Sequence, residues 1–257
     1  MKVAFDSNIW RIIATPDTFP NEPSILDFVR LQQVIIDKRI EPFLSETIFT
    51  IESIRKKDRK SVVGASNTKV VVDETPTGDD TIKISIKIGP GKGLTFDDNP
   101  ILKKHFDDAL ALGFKIVRIP RIAGLFNTEV EKVRLLQTND ELEKYHRKVF
   151  EVVEKIEAAG AGMAHISQIG KKFHQSWIDG IKNAPDSEEG KIAKAAAEWA
   201  DGDSIAMSIA MECDYFCTRD KAKSAGEHSV LSSTNLAWLN SDYALKIITP
   251  EKLAQLI

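Results

Sequence analysis

The sequence predicts an α/β protein, three layers deep (α/β/α), with a central, mainly parallel sheet and an inserted β-hairpin module. Three observations predict it. Short apolar runs (KVAF, PFLS, YFCT and KIIT) stop abruptly at polar or turn residues, as strands buried on both faces do. Segments of helical periodicity alternate with those runs, and that alternation implies a parallel sheet. One stretch departs from the pattern: VVVDETPTGDDTIKISIKIG alternates apolar and polar residues about a Pro/Gly/Asp turn, as an antiparallel hairpin does.

Taken in order, KVAF ends at Asp6-Ser7-Asn8 and reads as a strand followed by a polar turn. Leu26, Val29, Ile35 and Ile36 fall near helical spacing between Pro23 and Arg39. Pro42 to Ser45 is a second strand that leads into a helix expected over Glu46 to Lys60. The hairpin follows, then the loop GPGKG, a short helix (Ile101 to Leu112) and the strand-like FKIVRIP. An apolar stripe of Leu142, Tyr145, Val149, Val152 and Ile156 behind Asn139 marks a helix, and Ile166, Phe173, Trp177 and Ile181 suggest another. DSIAMSIAMEC reads as a helix opened by Asp203, its small residues suited to close packing on a sheet, and YFCT as the strand after it. LKIITPEKLAQLI closes the chain as a strand and a helix, with Thr249 as N-cap and Pro250 at the first helical position. The expected organisation is one domain over residues 1–257, with an insertion at about 61–135 comprising the hairpin and a short helix.

Composition narrows the function classes. With 257 residues, 42% of them hydrophobic, the chain can bury one substantial core. No run approaches the roughly 18 apolar residues of a membrane span, and MKVAFDSNIWR carries charges where a signal peptide is apolar, so a cytoplasmic location and no membrane partner are expected. The two cysteines, Cys213 and Cys217, suit neither a disulfide framework nor a zinc site, and the five histidines lie singly. A net charge of −3 does not advertise a polyanion partner, yet Arg55, Lys56, Lys57, Arg59 and Lys60 form a local basic run. Such a run reads as a solvated helix face or as a phosphate grip.

The chemistry lies in carboxylates. Ligands of an open parallel sheet gather at the carboxyl ends of its strands. Asp6 and Asp220 each follow a predicted strand, Asp203 opens the helix that leads into the second of those strands, and Glu52 lies about two turns into the helix after PFLS, able to lean across the same edge. Taken singly, each acid also reads as a turn residue, an N-cap or an exposed helix position. Together, four anionic groups repel unless a cation compensates, and an oxygen-only site without histidine suits one or two Mg²⁺ or Mn²⁺ ions. Such ions activate water and stabilise the leaving oxygen of an in-line displacement at phosphorus. GPGKG lacks the spacing of a phosphate-binding loop, and Asp6-Ser7-Asn8 lacks the second aspartate of haloacid dehalogenase phosphatases.

VAFDSNIW, LSETIFTIES and above all DSIAMSIAMECDYFCTRDK resemble the PIN domain, the fold of many toxin and RNA-processing ribonucleases. The last motif is the most specific: an acid at the head of a small-residue helix, then a strand ending in Thr-x-Asp seventeen positions further on. The resemblance covers residues 1 to about 60 and about 195 to 257. It implies catalytic and metal-binding roles for Asp6, Glu52, Asp203 and Asp220, with Asn8 and Thr218 as supporting polar groups. Glu46 rivals Glu52, and Asp201 rivals Asp203. By this resemblance the chain is a Mg²⁺- or Mn²⁺-dependent endoribonuclease of RNA, whose nucleic-acid-binding residues are Arg55, Lys56, Lys57 and Arg59. A homodimer or a protein inhibitor is compatible with it. Two other readings stay open: a non-catalytic RNA- or protein-binding module of the same fold, and a phosphatase.

Overall fold

A computed structural model describes the chain apart from residues 53, 65–67, 77–81, 91–99, 121–129, 131 and 222–225, and apart from the side chains of residues 52, 68–71, 74, 76, 82, 85–90, 100–104 and 227. The GPGKG loop therefore lies largely outside the described residues, as does the side chain of Glu52. In chain order the elements are β1 (Lys2–Phe5), α1 (Trp10–Ala14), α2 (Ile25–Ile36), β2 (Glu41–Ser45), α3 (Arg59–Gly64), β3 (Thr68–Pro76), β4 (Ile82–Pro90), α4 (Pro100–Leu112) and β5 (Lys115–Val117). They continue with α5 (Asn139–Ala158), α6 (Met163–Lys171), α7 (Trp177–Asn183), α8 (Glu189–Ala210), β6 (Tyr215–Cys217), α9 (Ser233–Tyr243), β7 (Ile247–Ile248) and α10 (Pro250–Leu256).

The sheet has five strands in the order β5-β2-β1-β6-β7, and every pairing in it is parallel. Because side chains alternate across a strand, each strand feeds both layers. Val3, Phe5, Leu44, Ile116 and Cys217 face a core shared with α1, α2, α4 and α10. Ala4, Phe43, Val117 and Phe216 face the other core, made with α5, α8 and α9. Each large apolar side chain so buried contributes about 1.5–3 kcal/mol, which is why the runs read from sequence are apolar on both faces. The protein is thus α/β in three layers, α/β/α. No helix among the described residues is long and apolar enough to cross a membrane.

The hairpin pairs β3 with β4, antiparallel, from Thr68 opposite Pro90 to Pro76 opposite Ile82. The expected insertion of 61–135 is too wide. Its later part belongs to the main body: β5 is the edge strand beside β2, and Phe106 and Ala109 of α4 sit in the first core.

Four further expectations change. The helix over Glu46 to Lys60 is broken into a π-helical turn (Ile48–Glu52), a 3-10 turn (Lys56–Asp58) and the start of α3. The β-branched run Thr47, Ile48, Thr50, Ile51 favours a regular helix poorly, and the Thr50 hydroxyl bonds back to the Glu46 carbonyl at 3.2 Å. In α2 the buried stripe is Phe28, Leu31, Val34 and Ile35, while Leu26, Val29 and Ile36 are exposed. The segment from Ile166 to Ile181 is two helices. A Cβ on Gly170 would meet the Trp177 carbonyl oxygen at 2.1 Å, so the second helix folds back onto the first in backbone contact. Finally, Asp203 does not open a helix. It lies deep inside α8, a 22-residue helix with 14 buried positions.

Candidate active site at the sheet edge

The chain leaves β1 toward β2 on one side, and β6 and β7 lie on the other, so the connections diverge between β1 and β6. A crevice outside the carboxyl ends of the strands at such a switch point is where open α/β sheets bind ligands. Asp6 is the first residue after β1, Glu46 the first after β2, and Thr218 the first after β6. Parallel pairing sets all three on the same edge.

Asp6 is buried, and its carboxylate is held from three sides. The Ser7 amide donates to Oδ1 at 2.6 Å, the Asn8 side-chain amide donates to Oδ2 at 2.8 Å, and the Thr218 hydroxyl also donates to Oδ2. The same Thr218 oxygen accepts the Asp220 backbone N–H at 2.9 Å. Asn8 and Thr218, expected as supporting groups, are thus in contact with the first acid. Burial pushes the Asp6 carboxyl above its ordinary value, the Thr218 and Ser7 hydrogen bonds oppose that rise, and the neighbouring Asp220 charge adds to it. Arg219, which separates Thr218 from Asp220 in the chain, turns away. Its guanidinium pairs with Glu251 and with Glu22 (2.9 Å) and stacks 4.8 Å from the Phe28 ring. Among the described residues neither Asp6 nor Glu198 forms an ion pair with a lysine or arginine.

Glu198 is the acid that sequence reasoning missed. It lies on α8 and is 2% exposed. Its carboxyl is pushed up to about 7, first by burial and then by the charges of Asp220 and Asp6, while hydrogen bonds from the Ser229 hydroxyl and the Val230 amide hold it partly down. Among the described residues its Oε2 has no hydrogen-bond partner. Asp6 therefore feels the charge of Asp220, and Glu198 the charges of both, in a region of low polarity. The available signal was context: Glu198 sits in AAAEWA, flanked by small and apolar residues where a solvent-facing glutamate would have polar neighbours.

A second group adjoins this one. Asp203 is 2% exposed, whereas Asp201 is half-buried. Burial pushes the Tyr145 phenol well above its ordinary value, and Glu46 and Asp203 raise it further, so both acids lie near that ring. Tyr145 donates to the Arg118 carbonyl at 2.7 Å, and Glu46 Oε1 accepts the Ile119 amide at 2.9 Å. Glu46, the rival to Glu52, is therefore at the edge. The backbone of Glu52 ends the π-helical turn, a feature frequent at functional sites.

The basic run divides. Arg55, Lys56 and Lys57 are exposed, but Arg59 is buried and structural: its guanidinium donates to the Ala193 carbonyl at 2.6 Å and the Ile54 carbonyl at 3.2 Å. An arginine so engaged packs the 56–64 segment onto α8 and does not offer itself to solvent. Cys217 is buried, Cys213 is partly so, and both are free.

Among the described residues no three His, Cys, Asp or Glu side chains form a ready-made metal cage. Mg²⁺ does not require one, since it keeps several waters and is usually held through one or two carboxylates. The buried Asp6 and Glu198, both raised by the Asp220 charge, and the Glu198 oxygen that has no hydrogen-bond partner among the described residues suit a cation held in that manner. Comparison with family models, with curated proteins and with solved structures finds no match to this chain.

Proposed function

We propose that the chain is a PIN-like, Mg²⁺- or Mn²⁺-dependent endoribonuclease that works at the β1/β6 switch point. The observation that carries this reading is the meeting of Asp6, Asp220 and Glu198 there: the Asp220 charge raises the cost of ionising both Asp6 and Glu198, and Asp6 adds to the cost at Glu198. Asp6 and Asp220 would hold the ion, with Asp203 and a glutamate from the segment after β2 (Glu46 or Glu52) completing the acidic edge. A bound ion would supply an activated water and charge neutralisation at the phosphorus.

The chain's own residues do the positioning. Asn8, Ser7 and Thr218 fix the Asp6 carboxylate in one orientation, and an acid fixed beforehand loses nothing to reorganisation when substrate arrives. Thr218 holds the Asp220 backbone to the same point. Ser229 and Val230 hold Glu198 against the cluster, where it can accept a hydrogen bond from a water beside the reacting phosphate. Arg219, drawn off to Glu22 and Glu251, does not neutralise Asp6.

The test is cleavage of single-stranded and structured RNA by the purified protein with Mn²⁺. Wild type should cut, EDTA should stop it, and Asp6→Asn should lose at least a hundredfold in rate with an unchanged circular dichroism spectrum. No cutting of any of these RNAs would sink the proposal. Tight RNA binding without cutting would identify a binding module instead, and turnover of p-nitrophenyl phosphate alone would identify a phosphatase.

A further inference from the structure

A groove of about 450 Å³ opens along the first half of α8, lined by Lys56, Lys57, Arg59, Glu189, Gly190, Ala193, Lys194 and Ala197. Its floor is the face of α8 made by Gly190, Ala193, Lys194 and Ala197, spaced as one helix face requires. The same rows continue to Glu198, four after Lys194, and to Asp201, four after Ala197. Along the axis, Lys194 is about 6 Å from Glu198, on the order of one or two phosphates of a strand. Arg59 ties the segment that carries Lys56 and Lys57 to α8 through the Ala193 carbonyl, and both lysines share the groove with Lys194. Neighbouring lysines are engaged, Lys60 with Asp186 and Lys191 with Glu188. Among the described residues, Lys56, Lys57 and Lys194 have no ion-pair partner and Glu189 is the one acid in the lining.

We propose that this groove is an anion subsite that grips the sugar–phosphate backbone of single-stranded RNA and leads it to the acids. The inference rests on the nuclease reading and adds to it a path and a mode of recognition. Three ammonium groups over a floor of Ala and Gly supply point charges for phosphates. Among the described residues no aromatic side chain lines the groove to stack a base, so the grip is indifferent to sequence. The volume is that of a small-ligand cleft, which admits one strand rather than two paired ones.

The test is fluorescence anisotropy in EDTA, on an Asp6→Asn background, with fluorescein-labelled oligouridine and a mixed-sequence single-stranded RNA of equal length. Lys194→Glu and the Lys56→Glu/Lys57→Glu pair should each weaken binding of both RNAs at least tenfold. Lys194→Gln should lower the slope of log affinity against log salt by about 0.7. Gly190→Glu separates loss of the subsite from loss of fold: a Cβ there meets nothing within 4 Å, so the variant should melt no lower than its parent and still bind at least fivefold more weakly. The proposal is overturned if the background binds neither RNA, if the lysine variants bind within twofold of it, or if duplex RNA binds more tightly. The nuclease reading fails separately: weakened binding in the lysine variants, beside a wild type that cuts no RNA with Mn²⁺, leaves the groove standing and removes the enzyme.

Discussion

The Thr218 hydroxyl donates to Asp6 Oδ2 across the junction of β1 and β6, the point at which the chain's connections diverge. Because the same oxygen accepts the Asp220 amide at 2.9 Å, one side chain joins two acids that are 214 residues apart in the sequence. Thr218→Val keeps the shape and removes both bonds. It should destabilise the protein by about 1–3 kcal/mol, the cost of leaving buried polar groups unsatisfied, and slow RNA cleavage more than tenfold. Thr218→Ser should retain most of both. Urea denaturation and initial rates check this, and equal behaviour of the Val and Ser variants would contradict it.

Stability should depend on pH through Glu198. Its carboxyl titrates at about 7 in the folded protein against an ordinary 4.5, so between those values the native state keeps a proton that the unfolded chain has released. Unfolding then releases a proton, and stability falls as pH rises from about 4.5 to about 7, with no further loss from this group above that. The upward shift of Asp6 acts in the same sense. Thermal melts from pH 4 to pH 8 should show the decline in wild type and a flatter profile in Glu198→Gln, which should be the more stable protein at pH 8. Superimposable profiles would remove Glu198 from the cluster.

The wall behind the groove depends on a backbone contact. A Cβ on Gly180 would meet the Gly170 carbonyl oxygen at 1.9 Å, and α6 and α7 share a core with the first half of α8. Gly180→Ala should cost at least the roughly 1–3 kcal/mol of overpacking and loosen Ala193 and Lys194, weakening RNA binding with little effect on metal affinity. A melting temperature unchanged from wild type would contradict the packing argument.

Local chemistry made much of this legible. Strands buried on both faces show as apolar runs, and where such a run meets Asp6 or Thr218 the sheet edge is already marked. The Thr249 N-cap and Pro250 likewise speak only of their own helix, and the Thr249 hydroxyl does accept the Lys252 amide. What stayed hidden depends on tertiary burial. Asp201-Gly202-Asp203 has the local character of a helix start, yet α8 runs straight through it, because close packing there favours small residues: a Cβ on Gly202 would stand 3.2 Å from the Gly162 backbone. Glu198 is set apart in sequence only by its small and apolar neighbours, and its role shows once Ser229 and Val230 close on its carboxylate. Arg59 belonged to a basic run by composition, and only the approach of Ala193 shows that its guanidinium bonds a backbone carbonyl.

The proposed activity depends most on a divalent cation held by the acids at the β1/β6 edge. Isothermal titration of Mn²⁺ into metal-free protein at pH 7.5 tests this directly. Binding to wild type, weakened at least tenfold in both Asp6→Asn and Asp220→Asn, is the predicted result. No binding to wild type, or equal binding to all three proteins, would contradict it.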